Sequence, residues 1–118
     1  DAGTAAYYHR VERTTIPFQR ILDNLDAASR LRPLVIQSLF LTIDGVGPSD
    51  DEIDAYCDRL AALSRDHAGI DRVQVYTVAR RPAGASVGPL APAEVDRIAA
   101  RVRARVGVPV EAYHGAPA

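Results

Sequence analysis

The sequence predicts an α/β fold with parallel strands. Amphipathic helical segments alternate with apolar extended segments along the chain, and a helix stands between each strand and the next. Strands connected in that way run parallel through right-handed crossovers. A length of 118 residues suits one domain, and an apolar fraction of 47% is ample for a packed core.

Each element has a local cause. Between Ala5 and Arg13 a short helix is expected, with Tyr7, Tyr8 and Val11 facing inward. From Ile16 to Leu31, Phe18, Ile21, Leu22 and Leu25 fall at i, i+3, i+4 and i+7, and Pro17 suits the first turn. Pro33 closes that helix. The run Leu34–Ile43 is mostly apolar without clean alternation, so it reads as a strand buried on both faces. Asp44-Gly45-Val46-Gly47-Pro48 is a loop. Ser49 with Glu52 forms a capping box, and Asp50 and Asp51 favour the positive end of the helix dipole. Ile53, Tyr56, Cys57, Leu60 and Leu63 mark the buried face of this second helix, which Gly69 ends.

Arg72–Ala79 reads as the next strand, with Gln74 and Tyr76 on one face and Val73, Val75 and Thr77 on the other. Arg80–Ala91, with its prolines and glycines, is a loop of the length that commonly carries function. A third helix starts near Pro92 and ends at Gly107, burying Val95, Ile98, Ala99, Val102 and Val106. Val108–Tyr113 is a short closing strand, and residues 114–118 form a flexible tail. In such folds the working face lies at the C-terminal ends of the strands. Those ends carry Asp1–Thr4, Ile43–Ser49 and Arg80–Ala91.

Composition narrows the function. No apolar run approaches the roughly 18 residues of a membrane span, and no secretory signal opens the chain, which points to the cytoplasm. Fourteen arginines, with no lysine, balance 15 acidic residues, so nucleic acid is not indicated as a partner. One cysteine, Cys57, on an apolar helix face, reads as inert core and cannot build a multi-cysteine metal site. His9, His67 and His114 lack metal-ligand spacing. No nucleophile elbow or phosphate loop is present, and Gly45-Val46-Gly47 departs from a dinucleotide fingerprint. Arg97, Arg101 and Arg105, with Arg103 beside them, read as a solvated helix face. Gln37 is different, because an amide inside an apolar strand needs either a side-chain partner or a polar cavity. Gln74 and Tyr76 on the next strand, followed by Arg80 and Arg81, raise the same question.

The succession Asp1-Ala2-Gly3-Thr4, Pro17–Leu25, Ile36–Leu41, Ser49–Ile53 and Val73–Ala83, in this order and spacing, resembles the C-terminal half of a radical S-adenosylmethionine (radical SAM) domain. The resemblance implies a partial (βα)6 barrel of which residues 1–113 are one half. In that family a 4Fe-4S cluster held by a C-x3-C-x2-C loop binds S-adenosylmethionine, and reductive cleavage yields a 5′-deoxyadenosyl radical that abstracts hydrogen. It implies cofactor contacts at Asp1, Gln37, Leu39, Gln74, Tyr76 and Thr77, and substrate contacts at Arg80 and Arg81. Implied partners are the missing N-terminal half of the barrel and an electron donor. Related branches act on transfer-RNA bases or activate glycyl-radical enzymes, and these residues do not choose between them. The chain departs from the family in lacking the cluster cysteines and the first three strands, so alone it is expected to be inactive. The absence of an initiator methionine fits a fragment or a processed chain. A rival reading is a stand-alone α/β binding or interaction module without redox chemistry. A third is a chain that dimerises to complete a barrel.

Overall fold

A computed structural model describes residues 3–5, 7, 17–65, 69–78 and 87–115. Most of the expected helix between Ala5 and Arg13, the residues 79–86 and the end of the tail lie outside them. Helix α1 (Phe18–Leu31) starts behind Pro17, whose φ of −61° is already near helical, and stops before Pro33. Its apolar stripe packs Phe18, Ile21 and Leu22 with Tyr7, and Leu25 reaches the main core. Strand β1 (Leu34–Leu39) follows, then the short β2 (Thr42–Ile43). Helix α2 spans Asp50–Arg65 with three acidic residues in its first turn, and the Ser49 hydroxyl accepts the Glu52 backbone N–H at 3.1 Å. Strand β3 (Ile70–Tyr76), the short β4 (Val87–Gly88), helix α3 (Pro92–Val106) and strand β5 (Val110–Tyr113) complete the chain. Gly107 at φ 74° closes α3 in the left-handed conformation that favours glycine.

Strands β1, β3 and β5 form one parallel sheet in that spatial order. Strand order thus follows chain order, with no point where the winding reverses. Right-handed crossovers in such a series put every helix on the same face, as in barrel folds and unlike doubly wound sheets. Among the described residues the sheet has three strands and does not close into a barrel.

The buried face carries Ile36 and Ser38 of β1, Val73 and Val75 of β3, and Val110 and Ala112 of β5. Ile53, Tyr56, Cys57 and Leu60 from α2 and Val95, Ile98, Ala99 and Val102 from α3 join them in one core. A fully buried aliphatic side chain contributes about 1.5–3 kcal/mol, so this layer dominates the stability of the fold. Within it the Ser38 and Tyr56 hydroxyls hydrogen-bond each other, and the Phe40 and Tyr56 rings meet edge to face at 5.1 Å.

Two expectations for the first strand need correction. The run Leu34–Ile43 is not one strand: Phe40 still donates its N–H to the Tyr76 carbonyl at 2.8 Å, but Thr42 and Ile43 turn away to pair antiparallel with Gly88 and Val87. A tight turn causes this, with Asp44 at φ 52° and Gly45 at φ 81° and reciprocal Ile43–Val46 backbone bonds. Nor is β1 buried on both faces, since Val35 is 50% exposed and Gln37 is exposed. The arginine stripe of α3 lies at the surface as expected, and its members are paired. Arg97 pairs with Asp50 at 2.8 Å, Arg101 with Asp54 at 2.6 Å, and Arg105 with Asp58. Both helices repeat their charges every four residues, so these side chains zip α2 to α3 instead of pointing freely into solvent.

Candidate functional site

Side chains alternate across a strand, so the residues between the core positions form the opposite face of the sheet. Parallel register aligns them in rows. Gln37 stands beside Gln74 and Gln74 beside Glu111, while Leu39, Tyr76 and Tyr113 form the next row toward the strand ends. The first row is hydrogen-bonded throughout: Gln37 Nε2 donates to Gln74 Oε1 at 2.9 Å, and Gln74 Nε2 donates to Glu111 Oε1 at 3.1 Å. Arg72 flanks it, bonded to Asp71 at 3.1 Å and lying 3.8 Å from Glu111. The Asp71 hydrogen bond and charge raise the pKa of Arg72, so this guanidinium stays charged.

At the C-terminal end of this face is an open cleft of about 380 Å³ lined by Gln37, Gln74, Tyr76, Thr77, Tyr113 and His114. Thr77 is buried, and its Oγ1 accepts the Leu90 N–H at 2.9 Å, which ties the end of β3 to the segment entering α3. His114 Nε2 lies 2.7 Å from Asp96 Oδ1, so the tail begins anchored to α3. The β2–β4 pairing links the loop after β1 to the loop after β3 beside this end of the sheet.

The structure brings Gln37, Gln74, Tyr76 and Thr77 to one cleft. Leu39 shares the row of Tyr76 and Tyr113 but is not among the lining residues. Asp1, Arg80 and Arg81 lie outside the described residues. Sequence reading missed Glu111, Tyr113 and His114. The signal was the alternation Val110-Glu111-Ala112-Tyr113, which puts Glu111 and Tyr113 on the open face once Val110 is taken as core.

A second construction holds the start of the chain. Glu52, 5% exposed, accepts the Thr4 hydroxyl at 2.7 Å and the Gly3 N–H, while Arg59 Nε donates to the Gly3 carbonyl at 3.3 Å. Gly3 is required here, since a Cβ at that position would stand 2.2 Å from the Tyr56 backbone nitrogen. The capping box is therefore half realised. Ser49 caps the helix, but the Glu52 carboxylate turns to a remote segment.

Among the described residues no group of three or more His, Cys, Asp or Glu side chains could hold a metal ion. Cys57 is fully buried, and burial pushes its thiol pKa up, away from thiolate chemistry. No helix among the described residues is long and apolar enough to cross a membrane. The cleft offers amide, hydroxyl and imidazole hydrogen-bonding groups beside two tyrosine rings, an arrangement suited to binding a flat polar molecule. No family model, curated protein or solved structure matches the chain.

Proposed function

We propose that this chain is the C-terminal half of a radical SAM barrel and forms one wall of its S-adenosylmethionine site. One observation carries the reading: a parallel sheet wound in chain order has its core on one face and a polar, aromatic row on the other. Parallel sheets are otherwise covered on both faces, so a face that no element among the described residues covers calls for a covering half. The uncovered face would be the barrel interior, and a lining of Gln37, Gln74, Glu111 and Tyr76 suits a ligand better than a packed apolar centre. In this reading Gln37, Gln74, Tyr76 and Thr77 face the cofactor, and Arg80 and Arg81 the substrate.

The 4Fe-4S cluster does not fit this chain. Three thiolates must hold it, and the single cysteine points into the core. Cluster ligands would come from the N-terminal half, as would the site for an electron donor. Reconstitution of the isolated chain with iron and sulfide is thus expected to give no stoichiometric cluster. A four-iron cluster on this chain, seen by its visible absorbance and iron content, would overturn the proposal. In-frame coding sequence upstream of Asp1 is expected to contain C-x3-C-x2-C on the order of a hundred residues earlier, as half of a barrel requires.

A second reading, a stand-alone α/β binding module in which the cleft takes its ligand unaided, is favoured by the self-contained core. Ile53, Cys57, Val73, Val75, Val95, Ile98 and Val102 are completely buried without any partner chain. A start codon immediately before Asp1 and a monomeric, fully folded chain in light scattering would select it over the half-barrel.

A further inference from the structure

The row Gln37–Gln74–Glu111 has a direction. A carboxamide can be turned over so that its donor and acceptor ends exchange, but an ionised carboxylate only accepts. Glu111 at one end of the row thus requires Gln74 to turn its NH2 toward β5 and its oxygen toward β1. That oxygen in turn draws the NH2 of Gln37, and the two contacts are 3.1 and 2.9 Å long. The far end of the row is then Gln37 Oε1, an acceptor, on an exposed residue that lines the cleft. Tyr76 and Tyr113, one row nearer the strand ends and lining the same cleft, provide flat apolar surface next to it.

We propose that the cleft receives a flat ring carrying a hydrogen-bond donor, that Gln37 Oε1 accepts that donor, and that Glu111 is the positioning residue that sets this preference. The proposal concerns this chain's own face and does not depend on the radical-enzyme reading. Glu111 does not line the cleft. It acts through the orientation of two amides, and the adjacent Arg72 offers Gln74 no acceptor that could replace it.

Phenol and anisole make a matched pair of probes, because they share a ring and only phenol donates a hydrogen bond. In titrations of the full chain followed by NMR, phenol is expected to shift the Gln37 side-chain amide and to bind on the order of five-fold tighter than anisole, the worth of one net hydrogen bond. Glu111→Lys replaces the acceptor by a donor. Gln74 and then Gln37 should turn over, presenting NH2 to the cleft, and the phenol preference should disappear or invert. Glu111→Gln keeps the shape while allowing both orientations, so its preference should fall between the two and guards against a folding defect in the lysine variant. Equal binding of the two probes by the unmodified chain would overturn the proposal. So would a phenol preference that both variants retain while their backbone amide spectra stay native. Neither result bears on cluster reconstitution, so the two proposals fail separately.

Discussion

Glu52→Ala should release the start of the chain while leaving the core folded. The carboxylate accepts two hydrogen bonds, from Gly3 N–H and the Thr4 hydroxyl, and is nearly inaccessible to water. Hydrogen bonds to a charged acceptor contribute about 1.5–3 kcal/mol each, so removing it costs the docked segment about 3 kcal/mol or more. Undocking offsets that loss by returning backbone freedom worth about 1–2 kcal/mol per residue. Coming off the surface is therefore easier for Gly3 and Thr4 than remaining there with an unpaired N–H. The α2 cap survives because Ser49 bonds the backbone of Glu52 rather than its side chain. Loss of a charge from the first turn costs the whole fold about 0.3–1 kcal/mol. In native-state hydrogen exchange, Gly3 should lose on the order of 100-fold in protection, which is about 3 kcal/mol, while Val75 loses less than about ten-fold. Gly3→Ala should produce the same release by another route, since backbone blocks the added Cβ. The reasoning fails if Gly3 protection survives Glu52→Ala, or if Val75 loses as much as Gly3.

Two further expectations concern the core and the helix pair. Tyr56→Phe should lower stability in urea unfolding by about 1–3 kcal/mol, because Ser38 keeps a buried hydroxyl without its partner; unchanged stability would contradict the pairing. Burial holds the Tyr56 pKa well above its ordinary 10.0, so above about pH 10 the unfolded chain releases this proton first and stability falls as pH rises. The Tyr56→Phe variant should lack that alkaline component in unfolding curves. Hydrogen bonding to Arg97 holds the Asp50 carboxyl below its ordinary 3.8, so its contribution is present above that pH and fades as acid protonates it in the folded state. Asp50→Asn should lose less stability than the unmodified chain between about pH 5 and pH 2, and the difference should shrink in high salt. Parallel curves would show that the pair contributes nothing.

Much of the fold was legible because local periodicity encodes it. The spacing of Ile53, Tyr56, Cys57 and Leu60 located α2 and its buried face, and Val73-Gln74-Val75-Tyr76 located a strand and the sides of its residues. The Ser49 cap was legible for the same reason. Glu52 was not, because a buried carboxylate that meets two donors from a segment 48 and 49 residues away has a better partner than the exposed cap beside it. The end of β1 was misread because Leu34–Ile43 is mostly apolar along its whole length; the turn at Asp44-Gly45 and the pairing with Val87–Gly88 divide it. Arg97, Arg101 and Arg105 were visible as a stripe, as were Asp50, Asp54 and Asp58, but their pairing required the two helices to lie side by side.

The candidate site divides along the same line. Gln37, Gln74 and Tyr76 could be recognised from the sequence as polar groups needing partners, because the cost of burying an unpaired amide applies wherever the strand lies. Their actual partners follow from register. Gln37 meets Gln74 and Gln74 meets Glu111 across 37 residues in each case, a distance over which local pattern carries no information. Alternation along each strand was enough to assign residues to two faces. Packing decided which face α2 and α3 cover, because they bury the face where Val73, Val75 and Val110 come together, and no helix among the described residues covers the polar rows.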